Sequence, residues 1–136
     1  MNYIGVHKNI KNFIADRHLI FHDGIKNSVK DSDIEIESEA DNTKDLIVGL
    51  TKSHPHLLIT SHLLYYDDAA EFLPIVKKTF PKVKILMLTM DCRNEALLKY
   101  ASYIDGFICK SATGSQIVAA IQAVANGGNY YYLPAK

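Results

Sequence analysis

Two residues that can bind an anion follow two short apolar segments in the second half of the chain. Thr89 closes the segment 84–89, and Lys110 comes directly after the segment 106–109. Both segments are bounded by polar turn residues, which is typical of strands buried on both faces of a parallel sheet. In open α/β sheets, ligands bind at the carboxyl ends of the strands. The Thr89 hydroxyl and the Lys110 ammonium are therefore candidate site residues.

Three further polar residues follow predicted strands in the first half of the chain. Asp16 and Arg17 come after the segment 12–15, and Ser61 comes after the segment 57–60. The carboxyl ends of parallel strands meet at one edge of a sheet. We therefore expect these three side chains to lie at the same edge as the first two candidates.

The elements that must hold these residues alternate between strand and helix. Apolar segments predict five strands, and the segments between them predict five helices, one of them at 67–80 with a proline that shortens or kinks it. The strand at 34–37 alternates Ile with Glu, which is typical of an edge strand with one wet face. Asn42, and Thr113 with Gln116, predict helix caps. The pattern predicts an α/β fold with a flavodoxin-like, doubly wound, five-stranded parallel sheet in the order 2-1-3-4-5 and helices on both faces.

Composition restricts the class of protein. The 136 residues include 15 Lys plus Arg and 15 Asp plus Glu, so no basic excess favours nucleic acid or an anionic membrane. No apolar stretch approaches the roughly 18 residues of a membrane span, and no signal-peptide core is present, which predicts a cytoplasmic protein. Cys92 and Cys109 are too few for a disulfide framework, and we expect both to be free thiols in a reducing compartment.

The sequence carries no recognisable catalytic motif. It has no glycine-rich phosphate loop, no nucleophile elbow and no convergent His/Cys/Asp set. His18 and His22 could clamp a metal from one helix face, but without a third ligand at a telling spacing the favoured interpretation is surface histidines. We also expect His62 to point away from Ser61, on a solvated rim. The sequence therefore predicts neither enzymatic activity nor a metal or other cofactor.

The spacing in the second half carries a family resemblance. Thr89, the run Asp-Gly-Phe at 105–107, Lys110 and a last helix that closes at 126–128 stand at intervals that resemble the receiver domain of bacterial two-component response regulators. Lys110 is followed by Ser-Ala-Thr and not by a proline, which resembles the NarL/FixJ (LuxR-type) subfamily. The resemblance covers about residues 11–133 and implies a CheY-like fold.

The resemblance also implies a site pattern, which this sequence matches only in part. In that family, two acids after strand one and an aspartate after strand three hold Mg²⁺, the latter aspartate accepts a phosphoryl group, and a threonine and a lysine bind its oxygens. Asp16, Thr89 and Lys110 match. Arg17 stands in place of the second acid, and Ser61 stands in place of the phosphoacceptor. We therefore expect a degenerate phosphoacceptor pocket without metal or phosphoryl chemistry, in which Asp16 pairs with either Lys110 or Arg17.

Residues near this pocket have competing interpretations. Asp67 and Asp68 lie too far downstream to be displaced acceptors without remodelling of the strand, and Asp68 matches an acidic residue at a helix start. Tyr65 and Tyr66 replace a Pro-Gly turn, and they could plug the emptied pocket or form a small-ligand or partner surface, with plugging or packing favoured. Phe107 matches the switch aromatic of the family, although a strand residue of this kind is a core residue first.

The resemblance implies a domain plan and a function. It predicts an N-terminal extension at 1–10, a receiver-like domain at 11–128, and at 129–136 the start of a linker to a helix-turn-helix output domain. We expect a phosphorylation-independent receiver that regulates transcription as a homodimer or through a protein partner, with DNA contacted only by that missing domain and no membrane contact. The alternative is a stand-alone pseudo-receiver that binds a partner or senses a small ligand. The expected dimer face is the small, apolar outer face of the last helix, at Val118, Ala119 and Ala125.

Overall fold

The computed structural model describes residues 10–132. Most of the predicted N-terminal extension and the last four residues of the predicted linker lie outside these described residues. The elements, in chain order, are β1 (Ile10–Ala15), α1 (Leu19–Val29), β2 (Ile34–Ala40), α2 (Thr43–Ser53), β3 (Leu57–Thr60), β4 (Leu63–Leu64), β5 (Asp67–Asp68), α3 (Ala69–Thr79), β6 (Lys84–Thr89), α4 (Asn94–Tyr100) with a 3₁₀ turn at Ala101–Tyr103, β7 (Gly106–Cys109), α5 (Gly114–Ala125) and β8 (Tyr130–Tyr132).

Six parallel strands form one sheet in the order β2-β1-β3-β6-β7-β8. Its first five members are the predicted strands in the predicted order, with β2 at the edge, so the α/β doubly wound fold is confirmed. The sixth strand was not predicted: Tyr130–Tyr132, in the segment predicted to begin a linker, pairs in parallel with β7. Gly106 permits this close approach, since a Cβ there would lie 2.9 Å from the Tyr130 carbonyl oxygen and 2.9 Å from the Val124 side chain.

The predicted caps of α2 and α5 are confirmed. The Asn42 side chain accepts a hydrogen bond of 2.9 Å from the Asp45 amide. At the start of α5, the Gln116 amide donates to the Thr113 hydroxyl (3.2 Å), and the Thr113 amide donates to the Gln116 side chain (2.8 Å). These bonds satisfy backbone donors that a helix leaves free in its first turn, so both helix starts are encoded locally.

A small hairpin between β3 and α3 was not predicted. β4 and β5 pair antiparallel, and the turn that joins them consists of Tyr65 and Tyr66. Tyr66 has a φ angle of +79°, in the left-handed region that non-glycine residues rarely adopt. The helix predicted to start at Asp67 therefore begins only at Ala69.

A capping box fixes the start of α3. The Asp68 side chain accepts from the Ala70 amide (2.8 Å), and the Glu71 side chain accepts from the Asp68 amide (3.2 Å). The helix then continues through Pro74 to Thr79. The proline therefore does not end the helix, in contrast to what a helix-interior proline suggests.

The core consists of two clusters, one on each face of the sheet. Because side chains alternate along a strand, Phe13 of β1 belongs to one cluster and Ile14 to the other. The first cluster packs under α2, α3 and α4 and contains Phe107 and Tyr100, while the second packs under α1 and α5. Both faces of the central strands are buried, which explains their continuous apolar sequences.

Candidate functional site

A buried ion pair occupies the carboxyl edge of the sheet. Lys110 Nζ lies 2.7 Å from Asp16 Oδ2, and the two side chains are only 6% and 4% exposed. The ammonium also lies 4.2 Å from the centre of the Phe21 ring, which adds a cation–π contact. Of the two cations that the sequence offers to Asp16, Lys110 is therefore the partner. Arg17 is partly exposed and makes no hydrogen bond or ion pair within residues 10–132.

The second oxygen of the Asp16 carboxylate is also occupied. Asp16 Oδ1 accepts a hydrogen bond of 2.8 Å from the His18 amide and lies 3.3 Å from His18 Nδ1. Both oxygens thus have donors of their own. Within the described part of the chain, no group of three or more His, Cys, Asp or Glu residues is arranged to hold a metal ion.

Ser61 lies at the carboxyl end of β3, in the position expected of it. It is buried, and its amide donates to the Ala15 carbonyl at 2.9 Å, which ties β3 to β1. Its hydroxyl accepts a long hydrogen bond of 3.4 Å from the Leu63 amide, in the turn that leads into the hairpin. The serine hydroxyl therefore serves the local turn, and no carboxylate stands at this position.

His62 borders the site and is half-buried, and its ring contacts Thr89, a contact that the sequence did not predict. Its Nδ1 lies 2.5 Å from Thr89 Oγ1, and the same hydroxyl oxygen accepts from the Asp91 amide (3.1 Å). The Thr89 hydroxyl can donate its proton to Nδ1 or accept a second hydrogen bond from it, so the direction of this bond follows the tautomer of the ring. Burial lowers the pKa of His62 below its ordinary value. The alternation of a strand does not apply to His62, because the chain leaves β3 after Thr60.

His22 is buried, which contradicts its interpretation as a surface histidine. One ring nitrogen lies 2.8 Å from Glu39 Oε1, and the other lies 2.7 Å from the Asp16 backbone carbonyl. Both partners present acceptor oxygens to the ring. Lys26 Nζ contacts the second Glu39 oxygen at 2.5 Å. Burial alone would raise the pKa of Glu39, but the hydrogen bonds from Lys26 and His22 outweigh it, and the pKa is lowered.

Asp68 is committed to structure. Its Oδ1 accepts from the Ala70 amide and from the Tyr100 hydroxyl (2.7 Å), and its Oδ2 accepts from Lys99 Nζ (3.2 Å). Burial alone would raise the pKa of Asp68, but these hydrogen bonds together lower it. Burial and the adjacent carboxylate raise the pKa of Tyr100. A carboxylate with this many donors is a helix cap and a helix–helix tie, which leaves it poorly suited to be a displaced acceptor.

An exposed ion pair lies in the loop between β6 and α4. Arg93 donates from Nε to Asp91 Oδ1 (2.9 Å) and from Nη2 to Asp91 Oδ2 (2.8 Å). The Arg93 side chain is 70% exposed. Its hydrogen bonds lower the pKa of Asp91 to about 2.

Tyr65 and Tyr66 do not plug the site. Their side chains are 46% and 96% exposed, and their ring centres lie 6.3 Å apart. The Tyr65 amide donates to the Asp41 carbonyl (3.1 Å), which holds the hairpin against the loop after β2. Both rings therefore face solvent at a fixed place beside the site, and His62 is the side chain that contacts Thr89.

The residues predicted to act as a switch and as a dimer face differ in their solvent exposure. Phe107 is fully buried in the core. On α5, Ala119 is exposed, whereas Val118 and Ala125 are partly buried against the core cluster shared with α1. Gln122 of the same helix donates to Asp33 (3.0 Å). The exposed part of the α5 surface is therefore narrower than the sequence predicts.

Cys92 and Cys109 form a disulfide bond, so the prediction of two free thiols is wrong. Their Cα atoms lie 5.4 Å apart, and 17 positions separate them in the chain. Cys109 is the last residue of β7 and lies opposite Thr89 in the sheet. Sequence reasoning missed the pair because neither cysteine has a spacing signal, and only the sheet brings them together.

A surface cavity of about 260 Å³ adjoins the buried ion pair. It is lined by His18, Ile20, Phe21, Met90 and Lys110. Ile20 and Met90 are 83% and 71% exposed. The walls are mostly apolar, and His18 and Lys110 are the basic residues among them.

No family model matches the chain, but curated proteins and solved structures are similar to it. The response regulator protein VraR of Staphylococcus saprophyticus is 30% identical over 124 residues, which are 90% of this chain and 59% of that protein. The chain thus spans about three fifths of the length of the curated relatives it matches.

Two solved structures show the same fold. The isolated receiver domain of RcsB from Salmonella enterica serovar Typhimurium, in the presence of the phosphomimetic BeF₃⁻, superposes with a TM-score of 0.83 at 26% identity, over 91% of this chain and 94% of that one. A structure of two RcsB dimers bound to two parallel DNAs superposes with a TM-score of 0.81 at 28% identity, over 91% of this chain and 64% of that one.

None of the helices within residues 10–132 has the length and apolar character needed to span a membrane.

Proposed function

We propose that this response-regulator receiver domain, which is related to those of RcsB and VraR, regulates transcription without accepting a phosphoryl group. The observation that carries the proposal is the buried contact between Asp16 and Lys110 at 2.7 Å. This contact neutralises the one acidic side chain of the degenerate phosphoacceptor pocket (Asp16, Arg17, Ser61, Thr89 and Lys110). The pocket then has no free carboxylate for a hard dication such as Mg²⁺.

The nucleophile of the pocket is also unsuited to phosphoryl transfer. An alcohol is a weak nucleophile near neutral pH and needs an adjacent base, whereas a carboxylate is already ionised. The nearest imidazole along the chain is His62, and its Nδ1 is already bonded to Thr89. Within residues 10–132, no side-chain base is hydrogen-bonded to the Ser61 hydroxyl.

The proposed output is transcriptional regulation by a dimer. The RcsB structure with DNA contains dimers. The present chain covers 64% of the RcsB chain in that structure. We propose that this receiver contributes a dimer or partner interface, with the exposed α5 surface around Ala119 at its centre, and that an output domain contacts DNA. A matched pair of variants tests the interface. Ala119→Arg is expected to weaken dimerisation in analytical ultracentrifugation, whereas Ser115→Arg, on the exposed first turn of the same helix, leaves it unchanged.

A second candidate function is small-ligand sensing by a stand-alone domain. The cavity beside Lys110, with apolar walls from Ile20, Phe21 and Met90, favours it. Ligand binding at this cavity would shift the NMR resonances of α1 without Mg²⁺ or a phosphoryl analogue. A fragment screen read by amide spectra separates this candidate from the first.

The decisive experiment is a titration of the chain with Mg²⁺ and then with beryllofluoride, followed by amide NMR. We expect the resonances of Asp16, Ser61, Thr89 and Lys110 to stay unchanged, because two of the three carboxylates of the family pattern are missing and the third, Asp16, is paired with Lys110. The matched control is the variant Arg17→Asp with Ser61→Asp, which restores the two missing acids and is expected to respond to Mg²⁺. A saturable shift of the natural chain at these positions would refute the proposal.

A further inference from the structure

The disulfide between Cys92 and Cys109 adjoins the degenerate phosphoacceptor pocket. Cys109 directly precedes Lys110, and the Lys110 amide donates to the Thr89 carbonyl at 2.8 Å. Cys92 follows Thr89 by three residues, in the loop that leads to α4. The sulfur bridge thus spans the two strands that supply the threonine and the lysine of the pocket.

The bridge is also the main attachment of the β6–α4 loop, residues 90–93. Within the described chain, the hydrogen bonds of this loop stay inside the loop, on Thr89, or in the first turn of α4. Its ion pair joins two of its own residues, Asp91 and Arg93. Met90 is 71% exposed and anchors nothing in the core. The disulfide is therefore the one covalent or hydrogen-bonded tie between this loop and β7 in residues 10–132.

The two sulfurs differ in access. Cys109 is 4% exposed, whereas Cys92 is partly exposed in a loop flanked by the exposed residues Met90 and Arg93. Of the two cysteines, Cys92 is therefore the one that lies nearer to solvent. The fold does not depend on the bridge for a core either, since two apolar clusters already fill both faces of the sheet.

We propose that Cys92–Cys109 is a reversible modification site, whose substrate class is a dithiol reductant acting by thiol–disulfide exchange. In the oxidised form the loop is fixed to β7 beside Lys110, and in the reduced form it is released. The state of the bridge then sets the position of the loop next to Thr89, in a pocket that has lost its acidic acceptor. The redox site adds an input to the proposed function. It rests on that proposed function in one respect, namely that the pocket receives no phosphoryl group.

The exchange balances without any further reactant. A thiolate of the dithiol attacks Cys92 Sγ, the Cys92–Cys109 bond breaks, and the electron pair leaves on Cys109 Sγ, which takes up a proton. The second thiolate of the reductant then attacks the reductant sulfur that is bonded to Cys92 Sγ. The mixed disulfide breaks, and Cys92 leaves and takes up a proton to become a thiol. Two electrons and two protons pass to the protein, and the dithiol becomes a cyclic disulfide. An external disulfide such as oxidised glutathione reverses the reaction.

The test compares the whole chain in oxidised glutathione and in dithiothreitol, both without denaturant. Thiols are alkylated and counted by mass spectrometry, and hydrogen exchange is measured at the amides of 90–94 and at Lys110. We expect no alkylated thiol in the first buffer and two in the second, with loop exchange at least about tenfold faster after reduction. Returning the protein to oxidised glutathione should restore the slow exchange.

The variant Cys92→Ser with Cys109→Ser is the matched control, and it should exchange like the reduced chain in both buffers. If this variant does not fold, the natural chain in its two redox states still decides the matter. The proposal is overturned if both thiols are alkylated in oxidised glutathione, if the bridge opens only in denaturant, or if loop exchange is the same in both states. These readouts use neither Mg²⁺ nor beryllofluoride, so failure here is distinguishable from failure of the proposed function.

Discussion

Two carboxylates at the carboxyl edge of the sheet, Asp16 and Asp91, are each paired with a cation, but in opposite surroundings. The contact of Asp16 with Lys110 measures 2.7 Å and that of Asp91 with Arg93 measures 2.8 Å. The first pair is almost completely buried, whereas Arg93 is 70% exposed. The Arg93 contact is bidentate and the Lys110 contact is single, so geometry alone would rank the exposed pair higher.

Burial reverses that ranking. A buried ion that loses its partner leaves an uncompensated charge in a poorly polarisable environment. An exposed ion that loses its partner is simply hydrated. Contact distance therefore says little about which pair the fold depends on, and the following four predictions test that conclusion.

The largest effect is expected for Lys110→Met, which leaves the Asp16 carboxylate buried without its cation. We expect the free energy of unfolding to fall by about 3–5 kcal/mol, measured by urea denaturation at neutral pH. The double variant Asp16→Leu with Lys110→Met removes both charges and should recover much of this loss. A loss below about 1 kcal/mol in the single variant would show that water reaches Asp16 and that the pair behaves like a surface pair.

An intermediate effect is expected for Asp68→Ala. The change removes the cap of α3 and leaves the Tyr100 hydroxyl without its acceptor, so we expect a loss of about 2 kcal/mol in the same assay. Thr113→Ala, which removes only a cap at the start of α5, should cost about 1 kcal/mol. Equal losses would mean that the contact with Tyr100 contributes nothing.

A smaller, pH-dependent effect is expected from His62. Its pKa is lowered in the folded state by burial, so the unfolded chain binds the proton first as the pH falls below the ordinary value of about 6.5. Stability is therefore fully present above that pH and is lost as the pH falls toward the lower folded pKa. The facing carboxylates Asp68 and Asp91 stay ionised in this window, because the pKa of each is lowered. The positive charges of Lys110 and Arg17 also face His62, and both contribute to lowering its pKa.

The measurement for His62 is urea denaturation at about pH 7.5 and about pH 5.5, both with the natural chain and with His62→Gln. The other histidines are the same in both proteins, so the difference between the two pH dependences belongs to His62. We expect the natural chain to lose more stability on acidification than the variant. Identical losses would contradict the assignment of a lowered pKa.

The smallest effect on stability is expected for Arg93→Ala. The urea midpoint at neutral pH should fall less than in any of the other variants, because the pair is exposed and solvent screens it. The pKa of Asp91, about 2 in the natural chain, should rise toward 3.8 in an NMR pH titration, because the two hydrogen bonds from Arg93 are lost. A clear loss of stability at neutral pH would place the exposed pair in the same class as the buried one.

The sequence predicts the parts of this structure that depend on local chemistry. Caps at Asn42 and Thr113, apolar strands and the edge position of β2 follow from residue type and spacing, and all are present. The sequence also limits the expected partner of Asp16 to two cations, Lys110 and Arg17. The sheet then selects Lys110, since β1 and β7 carry the two residues to one edge.

Other features depend on contacts between distant segments and were missed. The Cys92–Cys109 bond exists because β6 and β7 are neighbours. His22 is buried because its ring nitrogens meet Glu39 and the Asp16 carbonyl, both outside its own helix. His62 could have been recognised earlier, since the strand signal ends at Thr60 and the rule of alternation ends with it.

Tyr66, at the tip of the hairpin, holds a backbone conformation that favours glycine, while its ring is 96% exposed. A non-glycine residue in this region costs about 1–2 kcal/mol, and no packing of the ring offsets that cost. If stability were the only property under selection, we would therefore expect glycine or asparagine to replace Tyr66 in related sequences. A tyrosine conserved at this turn among orthologues would accordingly indicate that the ring itself is under selection. A varied set of residues at this position would indicate that the ring is not.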